Sequence, residues 1–340
     1  MDSLTQIVLG AACGEAVLGK KIGNKALLFG AIGGTIPDLD VFIGNILYGN
    51  KIDAMLFHRG FMHSILFSVL GAFLFGWLVY KLYNSGKRQE TTTLKEWILL
   101  FFLALFTHPI LDCFTPYGTQ LFAPFSNYRV AFNNIAVLDP LYTFPFLICM
   151  LVLMCYRRTA TKRKRLLRLG IGISSAYLLL TIGNKYYVDS VFEKSLTENS
   201  IEYTRYSAQP TLLNNILWYG IAETKTEYHI AFYSLLDAEP RFSEWQKIPK
   251  TRSISKVEFQ DMRDLAWFSK DYFNVQRTSE NEYLYNDLRY PLLKTEKGYE
   301  SVFSFQLFKE NDRLNMKDFE PRIGSFGAAM SELWQRMKGV

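Results

Sequence analysis

The chain has 340 residues, 49% of them hydrophobic, with a formal charge of +6 and a mean hydropathy of +0.02. That mean averages two unlike halves: residues 1–183 are mostly apolar runs, whereas 184–340 are dense in Glu, Lys, Asp, Asn and Tyr and hold no stretch long enough to span a bilayer. The composition argues against a nucleic-acid partner, since the densest basic block, Arg157 to Arg168, is wedged between apolar segments, and against a disulfide framework, since all four cysteines lie in or beside such segments without a CxxC.

In chain order, the apolar runs predict membrane helices over 4–19, 26–47 with a break near Pro37, 62–83, 96–113, 138–156 and 166–183. The N-terminus carries Asp2 where a signal peptide has a basic region, so the first run is read as mature structure. Lys20, Lys21 and Lys25, then Lys81, Lys87, Arg88 and Lys95, then the block at 157–168 occupy alternate loops, which places those loops in the cytoplasm. The 38–61 region, the 112–137 loop and the C-terminal half then lie on the opposite face. Beyond 184 the period changes to two, predicting strands at Ile216–Glu223, Glu227–Leu235 and Tyr299–Phe308, turns at Pro240–Lys250 and Asn281–Asp287, and a short helix from Met330 to Met337. The expected fold is a multi-span α-helical membrane domain, 1–183, followed by an extracytoplasmic β-rich α+β domain, 184–340.

Three of the four histidines accompany aspartates in the apolar half: PDLD holds Asp38 and Asp40, HRGFMHS holds His58 and His63, and HPILD holds His108 and Asp112. Ionisable residues beside membrane-length runs are costly unless they bind something. His108 and Asp112, four apart, share one helix face. His58 and His63, five apart, would point about 140° apart on a continuous helix, so Gly60 is read as a turn that lets both converge. Asp38 and Asp40 flank the break at Pro37, with Asp38 the favoured ligand and Asp40 able to cap the next segment. Nitrogen and oxygen ligands without thiolates suit a divalent metal, zinc above all, with manganese or iron as alternatives. One or two ions are expected; a pair would lie about 3.5 to 4 Å apart and hold a phosphoryl group. Arg59 either forks onto phosphate oxygens or anchors at the interface. Asp139 is a candidate ligand, histidine partner or water-orienting base. Glu15 reads as a structural polar pair and His229 as a structural histidine.

The segments MDSLTQIVLGAACGE, GAIGGTIPDLD, HRGFMHS and HPILDCFTPYGTQLFAPFS resemble the YdjM family of bacterial inner-membrane, metal-dependent hydrolases, over roughly the first 140 residues. The resemblance implies a multi-pass protein of the cytoplasmic membrane and a more distant likeness to zinc-dependent phospholipase C and P1-type nucleases. It also implies a ligand role for Asp38, His58, His63, His108 and Asp112. Many relatives carry a histidine where this chain has Gln6, a poor ligand.

The expected function is metal-dependent hydrolysis of a phosphoester in a lipid or lipid-linked substrate, with the bilayer as partner. The alternatives are a metal-stapled sensor or assembly protein without catalysis, and a metal-ion transporter. Ligands gathered at one face and the lack of a paired half-repeat weigh against transport. A metalloprotease is disfavoured because HEXXH is absent.

Overall fold

The computed structural model describes residues 1–254, 258–295, 298–317, 327, 331 and 333–339. It divides into two compact units: Met1–Gly44 with Phe57–Ile182, and Asn45–Leu56 with Gly183–Val340.

The first unit is helical. α1 (Ser3–Ile22) starts on an Asp2 side chain that accepts from Thr5 N at 3.0 Å, and α2 (Asn24–Thr35) folds back against it after Gly23. The two helices touch backbone to backbone. A Cβ on Gly10 would come within 2.3 Å of the Gly30 carbonyl oxygen, and one on Gly14 within 2.0 Å of the Ala26 carbonyl oxygen. Small residues four apart on both helices permit this approach, which larger side chains would prevent. After α2 the chain bends by 44° through a 3-10 turn at Pro37–Leu39 into α3 (Asp40–Leu47). A second 3-10 turn at Phe61–His63 leads into α5 (Ile65–Tyr83), capped by Ser64, and α6 (Leu94–Asp112) begins with a reciprocal Thr93/Glu96 cap. α7 (Pro140–Met154) has Asp139 as its cap and Pro140 at its first position.

Among the described residues three helices are long and apolar enough to cross a membrane, α5, α6 and α8 (Thr161–Glu198), or four if the bent α2–α3 pair is one span. Six spans were expected. α7, at 15 residues, covers only about 22 Å at the helical rise, and α1 carries Glu15, Lys20 and Lys21. Both nevertheless run between the same two ends of the unit as α6. At one end Thr5 meets Thr143; at the other Lys21 pairs with Glu96, and Asn24 donates to the Met154 carbonyl.

The second unit is built on two antiparallel sheets. One has the order β1 (Arg205–Pro210), β2 (Leu217–Glu223), β3 (Glu227–Ser234), β4 (Ser243–Pro249). The other has the order β10 (Arg313–Met316), β9 (Ser304–Glu310), β6 (Glu282–Asp287), β5 (Phe273–Arg277), with α9 (Gln260–Phe268) in its core. A separate hairpin pairs β7 (Leu292–Thr295) with β8 (Gly298–Ser301). The C-terminal part of α8 packs Val188, Val191, Phe192 and Leu196 against the first sheet.

Several expectations change. The expected strand 299–308 is broken between β8 and β9, and the presumed turns at 240–250 and 281–287 hold β4 and β6. β4 is an edge strand, which tolerates the polar residues that suggested a turn. β6 buries Tyr285 against Phe273 at 5.1 Å between ring centroids. Residues 333–337 are helical, while Met330 of the expected terminal helix lies outside the described residues. The division after Ile182 lies one residue from the boundary expected at 183/184, within the continuous helix α8, but residues 45–56 belong with the second unit. There Ile52, on α4 (Lys51–Phe57), is in the α9 core, and Asp53 takes both arms of Arg313 at 2.8 and 2.9 Å. A short segment between two membrane runs reads as a connecting loop until its long-range partners are seen.

Candidate metal centre

The centre forms where α2, α6 and the Phe61–His63 turn end together. The break at Pro37 frees the Gly34 carbonyl, which lies 2.7 Å from His108 Nδ1. A carbonyl only accepts, so the proton of a neutral His108 sits on Nδ1 and its Nε2 is a bare lone pair. His63 Nδ1 lies 3.0 Å from Asp40 Oδ2 without hydrogen-bond alignment; a neutral His63 with its proton on that nitrogen would leave Nε2 free to ligate. These two Nε2 atoms are 3.1 Å apart. Asp38 Oδ1 lies 3.4 Å from each, and Asp112 Oδ2 lies 3.5 Å from each. Two lone pairs and two carboxylate oxygens thus converge with no hydrogen bond to Asp112 Oδ2.

Such a convergence of nitrogen and oxygen donors can hold a cation. Around a tetrahedral ion with ligand distances of about 2.0 to 2.1 Å, neighbouring donors stand about 3.3 Å apart, which matches the spacings of 3.1 to 3.5 Å here. Asp38, His63 and His108 form one trio able to hold an ion, and the residues present fit a divalent metal.

His58 does not join that trio. Its Nδ1 lies 2.7 Å from Asp40 Oδ1, so Asp40 stands between two histidines, holding one with each oxygen. Asp40, His58 and His63 make a second trio of possible ligands. The His58 side chain is 22% exposed, whereas those of His63 and Asp40 are fully enclosed. Burial lowers the pKa of its imidazole, outweighing the pull of Asp40, and keeps it neutral at pH 7.

Arg59 is buried, which removes the interfacial-anchor reading. Its φ of 59° places a long side chain in the left-handed region. That conformation is held from both sides: its N–H donates to Asp40 Oδ2 at 3.0 Å, and its carbonyl accepts from Gln120 N at 3.0 Å. The guanidinium bonds Thr115 through Nη1 at 2.9 Å, lies 4.6 Å over the Tyr117 ring, and brings Nε within 3.3 Å of Asp112 Oδ2. The other oxygen of Asp112 accepts from the Met1 amino group and from Gln6 Nε2, the latter at 3.0 Å.

The first 188 residues match the family described as YdjM inner membrane protein. The chain belongs to that family. Uncharacterized protein YfhP of Bacillus subtilis (strain 168) is 31% identical over 150 residues, which are 41% of this chain and 42% of that protein. The match therefore spans about two fifths of that relative's length. No solved structure matches. Neither description states a reaction; the YdjM family name and the apolar helices together assign the chain to a membrane.

Within this YdjM-family chain, Asp38, His63, His108 and Asp112 are brought together, His58 is set behind Asp40, and Asp139 is elsewhere. Asp139 Oδ1 caps α7 through Leu141 N and Tyr142 N at 3.0 and 3.3 Å, and Oδ2 accepts from the Tyr177 hydroxyl at 2.9 Å. No histidine is among these partners, so the cap accounts for Asp139 and the ligand, histidine-partner and base roles are not supported. Gln6 supports the site without ligating: it donates to Asp112 and to the His108 carbonyl at 3.2 Å. Sequence reasoning missed the Met1 amino group, the Gly34 carbonyl and Thr115. None carries a compositional signal, although a glycine just before the break at Pro37 marks where a carbonyl is freed.

Proposed function

We propose that this chain is a membrane-bound, metal-dependent hydrolase that cleaves a phosphoester of a lipid or lipid-linked substrate. The observation that carries the reading is the convergence of two imidazole Nε2 atoms and two carboxylate oxygens at 3.1 to 3.5 Å, with no hydrogen bond to Asp112 Oδ2. A divalent ion held by Asp38, His63, His108 and Asp112, zinc being the best fit to nitrogen and oxygen donors, would acidify water and polarise a phosphoryl oxygen.

The chain's own groups supply the rest. Asp40 orients His58 by accepting from Nδ1, which leaves His58 Nε2 on the more exposed side to take a proton from attacking water. The His58 ring centroid lies 5.5 Å from that of His63, within reach of chemistry at the centre. Arg59 shares the charge of Asp112 and presents a guanidinium to a phosphate without having to be recruited from solvent. Basic residues gather at the opposite end of the helical unit, where Lys21, Arg158 and Arg163 lie, so the positive-inside tendency supports an extracytoplasmic centre and C-terminal domain.

Elemental analysis of the detergent-purified chain beside His108→Ala tests the metal. Release of phosphate or headgroup from phosphatidic acid and phosphatidylglycerol in mixed micelles tests the chemistry. One or two equivalents of metal with metal-dependent turnover are expected. Metal without turnover on any phosphoester would favour the second reading, a metal-stapled assembly protein, which draws support from the way Asp112 is already paired with Arg59 and the Met1 amino group.

A further inference from the structure

We propose that the hairpin between α6 and α7 is a membrane-interface anchor, seating Phe122 and Phe125 in the lipid leaflet at the mouth of spans α5 and α6. The inference is independent of the hydrolase reading.

The hairpin is closed by a reciprocal pair: Thr119 N donates to the Val130 carbonyl at 3.1 Å and Val130 N to the Thr119 carbonyl at 2.9 Å. Its base is fastened to the segment that carries His58, Arg59 and His63. Gln120 N donates to the Arg59 carbonyl at 3.0 Å, and Arg129 Nη2 donates to the His58 carbonyl at 2.9 Å. Ile65 N donates to the Leu121 carbonyl at 3.0 Å. Ile65 is the first residue of span α5, and the segment leaves α6 at Asp112, so the tip is held at the level where two membrane spans end.

At that level the side chains sort in an unusual way. Leu121, Ala123 and Arg129 turn inward and are buried, while Phe122 is 51%, Phe125 85% and Tyr128 62% exposed. A soluble loop of this length would turn its polar residues out and its phenylalanines in. The occupant is lipid because α5, whose first residue is bonded to the hairpin, carries exposed apolar side chains along its length: Leu70, Phe73, Leu74 and Trp77 are each at least half exposed. Apolar rings just above a span, with a tyrosine beside them, are what the headgroup and acyl boundary accommodates. Because the clamp holds the same segment as the histidines, seating the tip also sets the height of the centre above the bilayer.

The test uses the full chain in phosphatidylethanolamine and phosphatidylglycerol vesicles, with a nitroxide on Phe125→Cys, and separately on Phe122→Cys, in a Cys155→Ser background. Cys155 is the exposed native thiol. Phe125 contacts little protein, so its replacement spares the fold. Collision rates with oxygen and with a water-soluble nickel chelate are compared with those of a label on Glu239→Cys, an exposed position of the second unit. The expected result is an oxygen-to-chelate ratio severalfold higher at 125 and 122 than at 239. A ratio equal to that at 239 places the tip in water and overturns the proposal. Protection from both reagents means that protein covers the tip, and overturns it equally.

Discussion

Two buried polar clusters occupy opposite ends of the helical unit, and they differ in how their charges are balanced. At the basic end, Arg163 binds both oxygens of Glu15 at 2.7 Å and spends Nη1 on Asn24 Oδ1 and the Tyr156 carbonyl. That cluster is complete: every strong donor meets an acceptor. At the other end Asp38, Asp112 and two bare imidazole nitrogens face one another, and Asp112 Oδ2 takes no hydrogen bond. A satisfied ion pair needs nothing further, whereas a group of unmatched acceptors has capacity left to take up a cation or a proton. Both clusters comprise ionisable residues in apolar helices, so residue type alone does not separate a staple from a binding site.

The sharpest break in this comparison comes from the surplus end. His108→Ala and Asp112→Asn should each lose the metal and with it all measurable turnover, read by elemental analysis and phosphate release on folded protein. A metal-replete, fully active Asp112→Asn chain would remove that residue from the ligand set. His58→Ala should keep the metal while turnover falls by about 10² to 10⁴-fold, the range for losing a general base. Loss of metal from His58→Ala would instead return His58 to the ligand set.

At the closed end the expected effect is on stability alone. Glu15→Gln strands Arg163 among apolar helices and should cost about 3 to 5 kcal/mol, as for breaking one side of a buried pair, with metal content per folded molecule unchanged. Thermal unfolding in detergent measures the loss. Arg59→Lys should leave metal bound and raise KM more than it lowers kcat, since an ammonium keeps the charge but loses the fork; an unchanged KM would remove Arg59 from substrate binding. The smallest change is expected for Asp139→Ala, about 1 kcal/mol for a lost helix cap, with metal and turnover intact.

Where sequence and structure agree, the governing distances along the chain are short. His108 and Asp112 share a face because four residues complete about one helical turn, and the break near Pro37 follows from a residue that lacks the backbone N–H the next helical bond would need. The change of period after 184 was enough to foresee strands at 217–223 and 227–234.

Where they differ, the deciding partner is remote. His58 and His63 look equivalent in HRGFMHS, yet Asp40, 18 residues before His58, occupies the inner face of one and the outer face of the other. Asp139 looks like a third aspartate of the site until its oxygens are found on Leu141, Tyr142 and Tyr177. Residues 45–56 look like a loop between spans until Ile52 is found in the α9 core.

The sequence by itself determined that this chain is a membrane protein with a β-rich second half and a cluster of histidines and aspartates at helix ends, because hydropathy, period and the i, i+4 relation are local properties of the chain. Only the tertiary structure decided which of those residues face one another. The Gly34 carbonyl, 74 residues from His108, settles which nitrogen is bare, and Arg59 and Gln6, 53 and 106 residues from Asp112, settle how far its charge is already spent.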